Sequence, residues 1–379
     1  MTEVFTTRRP QYEFIDGLRA MAALSVAVYH AFLFSGLQGQ TVSSYGLLGR
    51  FVLNGRFAVA VFIVLSGFVL MLPVARHEDL RVRGGAREFF RRRARRILPP
   101  YYAALALFLV LIVAVPAFQD ARGTQWAGKV PVTPGGVLSH VFLVHNLRGA
   151  WHDQVDGPMW SVATEFQIYV LMPFVLLPLW RRFGGWAVTA VAVLLGLAVH
   201  LLLPGLDGAH VWYVGLFAAG MLAATAHVRG WRLRGARPVA LVSTAVLAVV
   251  LVAGQYRLRP QDWLTETAVG LVFALGLFVL AQRRSAAATG RVLALLESAP
   301  LVKVGLFSYS IYLFHSPLIG LSNVLLMGVD LPLAVRLATM VLVVTPSAVG
   351  VSYLAHLAVE RRFMTQHQSQ VQASPVMSR

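Results

Sequence analysis

Apolar residues in this chain come in long, nearly unbroken runs, of which AMAALSVAV, FIVLSGFVLMLPVA, AALALFLVLIVAV and AVTAVAVLLGLAV are examples. A helix that is apolar on every side belongs in a large core or in a bilayer. With about twenty residues needed to span hydrocarbon, ten segments qualify: 14–36, 52–75, 97–118, 160–180, 186–204, 211–228, 238–255, 264–282, 302–327 and 331–358. The expected fold is therefore all-α, a polytopic integral membrane protein with about ten transmembrane helices. No internal repeat and no second soluble domain is visible, so residues 1–364 read as a single transmembrane domain. The tail 365–379, TQHQSQVQASPVMSR, is too polar to build a core and is expected to be disordered.

Two joints between runs break the pattern. Residues 76–96 end in REFFRRRARRILPPYY and lead into the third span, with Pro99 and Pro100 placed where a helix start tolerates proline and Tyr101 and Tyr102 where an aromatic belt would lie. Residues 119–159 form a long loop with an apolar stretch, VLSHVFLVHNL at 137–147, too short to cross and so re-entrant or interfacial at most. Loops of this length in a compact protein usually carry function.

Composition sharpens the picture. Of 379 residues, 57% are hydrophobic and only 13% charged, and the mean hydropathy is +0.67, well outside the range of soluble domains. The net charge of +17 does not signal nucleic acid, because the basic residues sit in short clusters between apolar runs. With edge residues assigned to the adjoining loop, alternate loops and tails hold 24 Lys and Arg against 7 on the others, and Arg19 and Arg336 lie inside spans. The positive-inside rule then puts both termini in the cytoplasm. The first run is too long for a signal-peptide core and has no small-residue cleavage site after it. Cysteine is absent, which excludes a thiol nucleophile, a thiolate metal site and a disulfide. Only Lys129 and Lys303 among the 33 basic residues are lysine.

Ionisable groups inside spans are costly and mark function. At 1.5 Å per residue, Arg19 lies about 7 Å from the inner face, His30 about 24 Å, Glu165 about 23 Å and His315 about 20 Å. Two histidines and a carboxylate therefore share one layer, which no stability argument requires. Asp16, three residues before Arg19, serves equally well as its charge partner. Arg93 and Arg96 share a helix face and, with Arg19, make an anion site suited to phosphate oxygens, while the rest of the cluster sets topology and meets lipid headgroups. The loop histidines His140, His145 and His152 read as ordinary solvated residues. No glycine-rich phosphate loop, nucleophile elbow or zinc spacing occurs, and Ser161 and Ser310 would need a histidine contact to act as nucleophiles.

The segments DGLRAMAALSVAVYH, RRARRILPPYY, WSVATEFQIYVLMP, SYSIYLFHSPL and YLAHLAVERRF resemble, in order, those of the membrane acyltransferase-3 family. The resemblance implies a multi-pass protein of the bacterial inner membrane that moves acyl groups, usually acetyl, onto hydroxyls of polysaccharides, glycolipids or macrolides. The family's Arg-ten-residues-His element falls on Arg19 and His30, its Arg-x-x-Arg element on Arg93 and Arg96, and its span-four acidic residue on Glu165. The implied donor is acyl-CoA, with acetyl-CoA the usual case, used as a co-substrate with no bound cofactor and no metal. Its phosphates would rest on Arg19, Arg93 and Arg96, and His30, oriented by a neighbour such as Glu165, would deprotonate the acceptor. Asp16, Tyr309 and His315 are possible accessory groups, and Tyr309 or His315 could polarise the carbonyl. The chain ends before the esterase-like domain that some members add, so a single-component mechanism is expected. A small acceptor such as a macrolide or its sugar is the first expectation, and surface polysaccharide or glycolipid the second. From another class, a proton-coupled transporter or flippase would use the same layer as a relay, although no paired interrupted helices are evident.

Overall fold

The computed structural model describes residues 12–35, 37–119, 124–233, 243, 245, 262–286 and 290–364. The expected span 238–255 and the tail 365–379 lie outside these residues, apart from positions 243 and 245. Among the described residues the chain is helical, with no strand. The principal helices are α1 (Glu13–Leu33), α2 (Gln38–Leu53), α3 (Ala58–Ala75), α4 (Gly85–Ala114) and α5 (Pro134–Val141). They continue with α6 (Met159–Phe183), α7 (Gly185–Leu202), α8 (Tyr213–Val228), α9 (Asp262–Ser285), α10 (Ala299–Leu306), α11 (Ser308–Met327) and α12 (Leu333–Ala358). Seven described helices are long and apolar enough to cross a membrane, namely α4, α6, α7, α9, α11, α12 and α3 extended to Asn54. The apolar helix α8 is shorter, and α1 has the length but carries Glu13, Asp16 and Arg19.

Three departures from the sequence reading have physical causes. First, α4 begins at Gly85 and carries the whole arginine cluster, so Pro99 and Pro100 sit in its interior rather than at its start. Arginine is a good helix former and extends the span backwards. Second, the expected loop 37–51 is helical, in two stretches that meet at a kink at Gly46 (φ 51°) and together make α2. Third, the span 302–327 is two helices, broken at Phe307. Within α6 and α12, Met172–Leu176 and Met340–Val344 are π turns. Each lies just before a proline, Pro178 or Pro346, whose missing N–H lets the ladder slip by one residue.

The centre of the bundle is α3 against α8. A Cβ on Gly67 would lie 2.1 Å from the Phe217 carbonyl oxygen, and one on Gly220 would lie 2.1 Å from that of Val64. Small residues on both faces allow backbone contact, which is how helices associate without a hydrophobic driving force. The 124–158 segment folds back into the bundle. The hydroxyls of Tyr101 and Tyr102, well inside α4, donate to the carbonyls of His140 (3.0 Å) and Val141 (2.7 Å). Asn146 donates to Thr164 (2.9 Å) and Gln167 (3.1 Å), one to two turns into α6. Leu138 and Phe142 stay 58% and 67% exposed, an apolar outer face consistent with a re-entrant segment. Tyr101 and Tyr102 thus tie this segment down.

Candidate functional site

Two cavities lie within the bundle, one lined by Arg19 of α1 and the other by His30 of the same helix. The first, of ≈ 100 Å³, is lined by Arg19 of α1, Ser66 of α3, Arg93 and Arg96 of α4, Glu165 and Tyr169 of α6, and Tyr309 and Tyr312 of α11, among others. Arg93 and Arg96 reach it together because they are three apart on one helix. Arg19 is held by Asp16 at 3.2 Å across one turn of α1. Glu165 accepts hydrogen bonds from Ser66 Oγ and Tyr169 Oη, both at 2.5 Å. The Tyr309 hydroxyl donates to the Ile97 carbonyl at 3.1 Å.

The second cavity, of ≈ 230 Å³, is lined by His30, Phe34, Arg56, Lys129, Asp153, Trp160 and Glu266, among others. Here α1 delivers His30 from its last turn, three helical turns beyond Arg19. His30 Nδ1 lies 2.6 Å from His315 Nε2. His315 Nδ1 lies 2.8 Å from the Ile311 carbonyl, which can only accept, so that nitrogen carries a hydrogen. With both rings neutral, His315 Nε2 is then the acceptor, His30 Nδ1–H the donor, and His30 Nε2 the free lone pair. A general base needs such a nitrogen facing a substrate space. The two cavities share a wall, since Val59 and Tyr312 line both.

Around His30 lies a buried ionic pair absent from the sequence reading. Lys129 Nζ sits 3.0 Å from Asp156 Oδ1, with both side chains almost wholly buried. Ser316, next to His315, also donates to Asp156 Oδ1. The far wall is aromatic: Trp160 stacks on His210 at 4.0 Å and on His152 at 5.4 Å. Burial pushes the His210 imidazole down to about 3. The Trp212 indole donates to Glu266 at 2.8 Å.

The structure gathers Arg19, Arg93, Arg96, Glu165 and Tyr309 in the first cavity and sets His30, backed by His315, in the second. The expected orientation of His30 by Glu165 is replaced by one through His315, because the carboxylate is held by Ser66 and Tyr169. Equal depth along two helices does not put side chains on facing surfaces. His140 and His145 are fully buried and stacked at 3.7 Å, not solvated. Neither serine meets a histidine in its hydrogen bonds: Ser161 pairs with Tyr312 (2.6 Å) and Ser310 with Glu360 (2.6 Å). Sequence reasoning missed Ser66, Tyr169, Tyr312, Lys129 and Asp156. A usable signal existed for three: Tyr169 is four residues after Glu165, Tyr312 is three before His315, and Lys129 is one of two lysines. Among the described residues no group of three metal-ligating side chains occurs.

The family described as "Acyltransferase domain" matches residues 12–357. Peptidoglycan O-acetyltransferase OatA of Listeria monocytogenes is 26% identical over 342 residues, covering 82% of this chain and 49% of that protein. O-acetyltransferase OatA of Staphylococcus aureus is 23% identical over 328 residues, covering 82% and 51%. The chain thus spans about half the length of these curated relatives. No solved structure matches it.

Proposed function

We propose that this chain, a multi-pass membrane protein and acyltransferase that belongs to the acyltransferase-domain family, moves an acetyl group from acetyl-CoA to a hydroxyl of a cell-envelope glycan. The observation that carries this reading is the pair of cavities with a common wall at Val59 and Tyr312, arginines in one and the free His30 Nε2 in the other. Arg19, Arg93 and Arg96 hold the phosphates of the donor by charge-assisted, forked hydrogen bonds. The eleven-residue step from Arg19 to His30 spans about 16 Å along α1, the distance the donor's arm covers to bring its thioester to the imidazole. His30 Nε2 takes the proton of the acceptor hydroxyl as its oxygen attacks the carbonyl, a contribution of about 10²–10⁴-fold. Glu165, with Ser66 and Tyr169, fixes the wall that the donor passes.

The membrane in this reading is the bacterial inner membrane. It is crossed ten times, with α1, α8 and the 238–255 segment added to the seven long apolar helices, and both termini and the arginine cavity face the cytoplasm. A glycan acceptor is favoured over a macrolide because the relatives above include one named for acetylating peptidoglycan. Trp160 at the second cavity offers a flat apolar face, and Asp153 and Glu266 offer acceptors for hydroxyls.

The test uses detergent-solubilised protein with labelled acetyl-CoA and either peptidoglycan fragments or a macrolide. CoA release that depends on the glycan, and that falls at least about 10²-fold in His30→Ala, is the expected result. No CoA release with any acceptor tried would favour transport, and near-wild-type turnover in His30→Ala would remove His30 from the chemistry.

A further inference from the structure

Acyl transfer through His30, the reading on which this inference rests, leaves one requirement unmet: a donor must stabilise the negative charge that grows on the carbonyl oxygen. The hydrogen bonds eliminate the obvious groups. His315 has its Nδ1–H on the Ile311 carbonyl and its Nε2 occupied by His30. Tyr309 donates to Ile97 and lines the other cavity. Tyr312 donates to the Pro158 carbonyl at 3.0 Å and pairs with Ser161.

Lys129 remains. It lines the His30 cavity although it is only 2% exposed. Its ammonium has three N–H groups, and among the described residues its hydrogen bond is to Asp156 Oδ1. Otherwise it rests over the rings of Phe34 (4.9 Å) and Trp126 (5.1 Å), and Phe34 in turn stacks on His30 at 5.0 Å. The ammonium and the imidazole therefore flank one ring. Gly157 leaves room for the charge, since a Cβ there would come within 3.1 Å of Nζ. The Lys129 carbonyl accepts from Val155 N–H at 3.2 Å, so backbone and side chain are both pinned. A buried ion pair is a poor source of stability, and a cation set beside a base in a water-poor cavity has electrostatic leverage on developing charge.

We propose that Lys129 is the carbonyl-polarising residue of the transfer, held in place by Asp156, which Ser316 ties to the helix bearing His315. The acceptor oxygen forms a C–O bond to the thioester carbon while its proton passes to His30 Nε2. The carbonyl π pair moves onto oxygen and accepts a hydrogen bond from the Lys129 ammonium. Collapse restores the C=O bond and breaks the C–S bond, and the thiolate of CoA takes the proton back from His30.

Lys129→Met is expected to lower kcat by about 10²–10³-fold with the KM for acetyl-CoA changed by less than about threefold. With chloroacetyl-CoA, whose carbonyl is intrinsically more electrophilic, the deficit should shrink by about tenfold, a dependence that loss of structure would not produce. Because Met at 129 leaves Asp156 buried without its partner, the double variant Lys129→Met with Asp156→Asn is measured in parallel and should show the same fall. Ser316→Ala loosens Asp156 but keeps the ammonium, so its deficit should be equal for the two donors. A kcat within about threefold of wild type in Lys129→Met or the double variant, or a deficit identical for both donors, overturns the role of Lys129 alone. A wild-type protein that releases no CoA with any acceptor overturns the reading of the whole site and this role with it.

Discussion

Single side chains do more than the motifs that contain them. His30 acquires a defined tautomer only because His315 has its own Nδ1–H anchored on a helix carbonyl. That relation joins residues 285 positions apart and has no signature in spacing. His210 illustrates a different residue-scale effect. Half-buried and stacked on Trp160, it is held neutral by desolvation down to about 3 in the folded protein, whereas in the unfolded chain it binds a proton below about 6.5. The unfolded state then holds more protons, so stability falls as pH drops below about 6.5, by up to about 1.4 kcal/mol per pH unit for this group. His210→Asn, which does not titrate and tolerates the positive φ of 49° at this position, is expected to flatten that dependence. Thermal unfolding of the solubilised protein between pH 7.5 and 5 measures the slope, and an unchanged slope would assign the acid sensitivity to other groups.

Whole elements decide where these side chains meet. Helix α1 carries Arg19 to one cavity and His30 to the other, so its pitch sets the separation of the two ends of the donor. The apolar runs and the arginine cluster were legible because hydrophobicity and charge act through composition. The interior position of Pro99 and Pro100, the helix α2 and the break at Phe307 were not, because each depends on neighbours that supply or remove backbone partners. The α3–α8 contact yields a prediction of its own. Gly220→Ala would place a Cβ 2.1 Å from the Val64 carbonyl oxygen, whereas a Cβ at Gly350 meets nothing within 4 Å. Gly220→Ala should destabilise by about 1–3 kcal/mol and Gly350→Ala by less than about 0.5 kcal/mol, read as shifts in Tm of the solubilised protein.

At the scale of the molecule the two cavities differ, with Arg19, Arg93 and Arg96 in one and His30 in the other. Sealed membrane vesicles of known orientation should release CoA only when acetyl-CoA is supplied to the face bearing Arg93. Arg93→Gln with Arg96→Gln should raise the KM for acetyl-CoA by about tenfold or more while changing kcat less. Equal activity from both faces would contradict this sidedness. By itself the sequence determined the helical membrane class and the arginine cluster, and it singled out Arg19 and His30 at a fixed distance on one helix. Those properties follow from local composition and helical rise, which need no neighbours. Only the tertiary structure decided that Glu165 faces Ser66 and Tyr169 rather than His30, that His315 backs His30, and that Lys129, paired with Asp156, lines the His30 cavity. Which faces of packed helices meet depends on rotation about their axes and on where the 124–158 segment folds back against the bundle, and neither is encoded in depth along a single span.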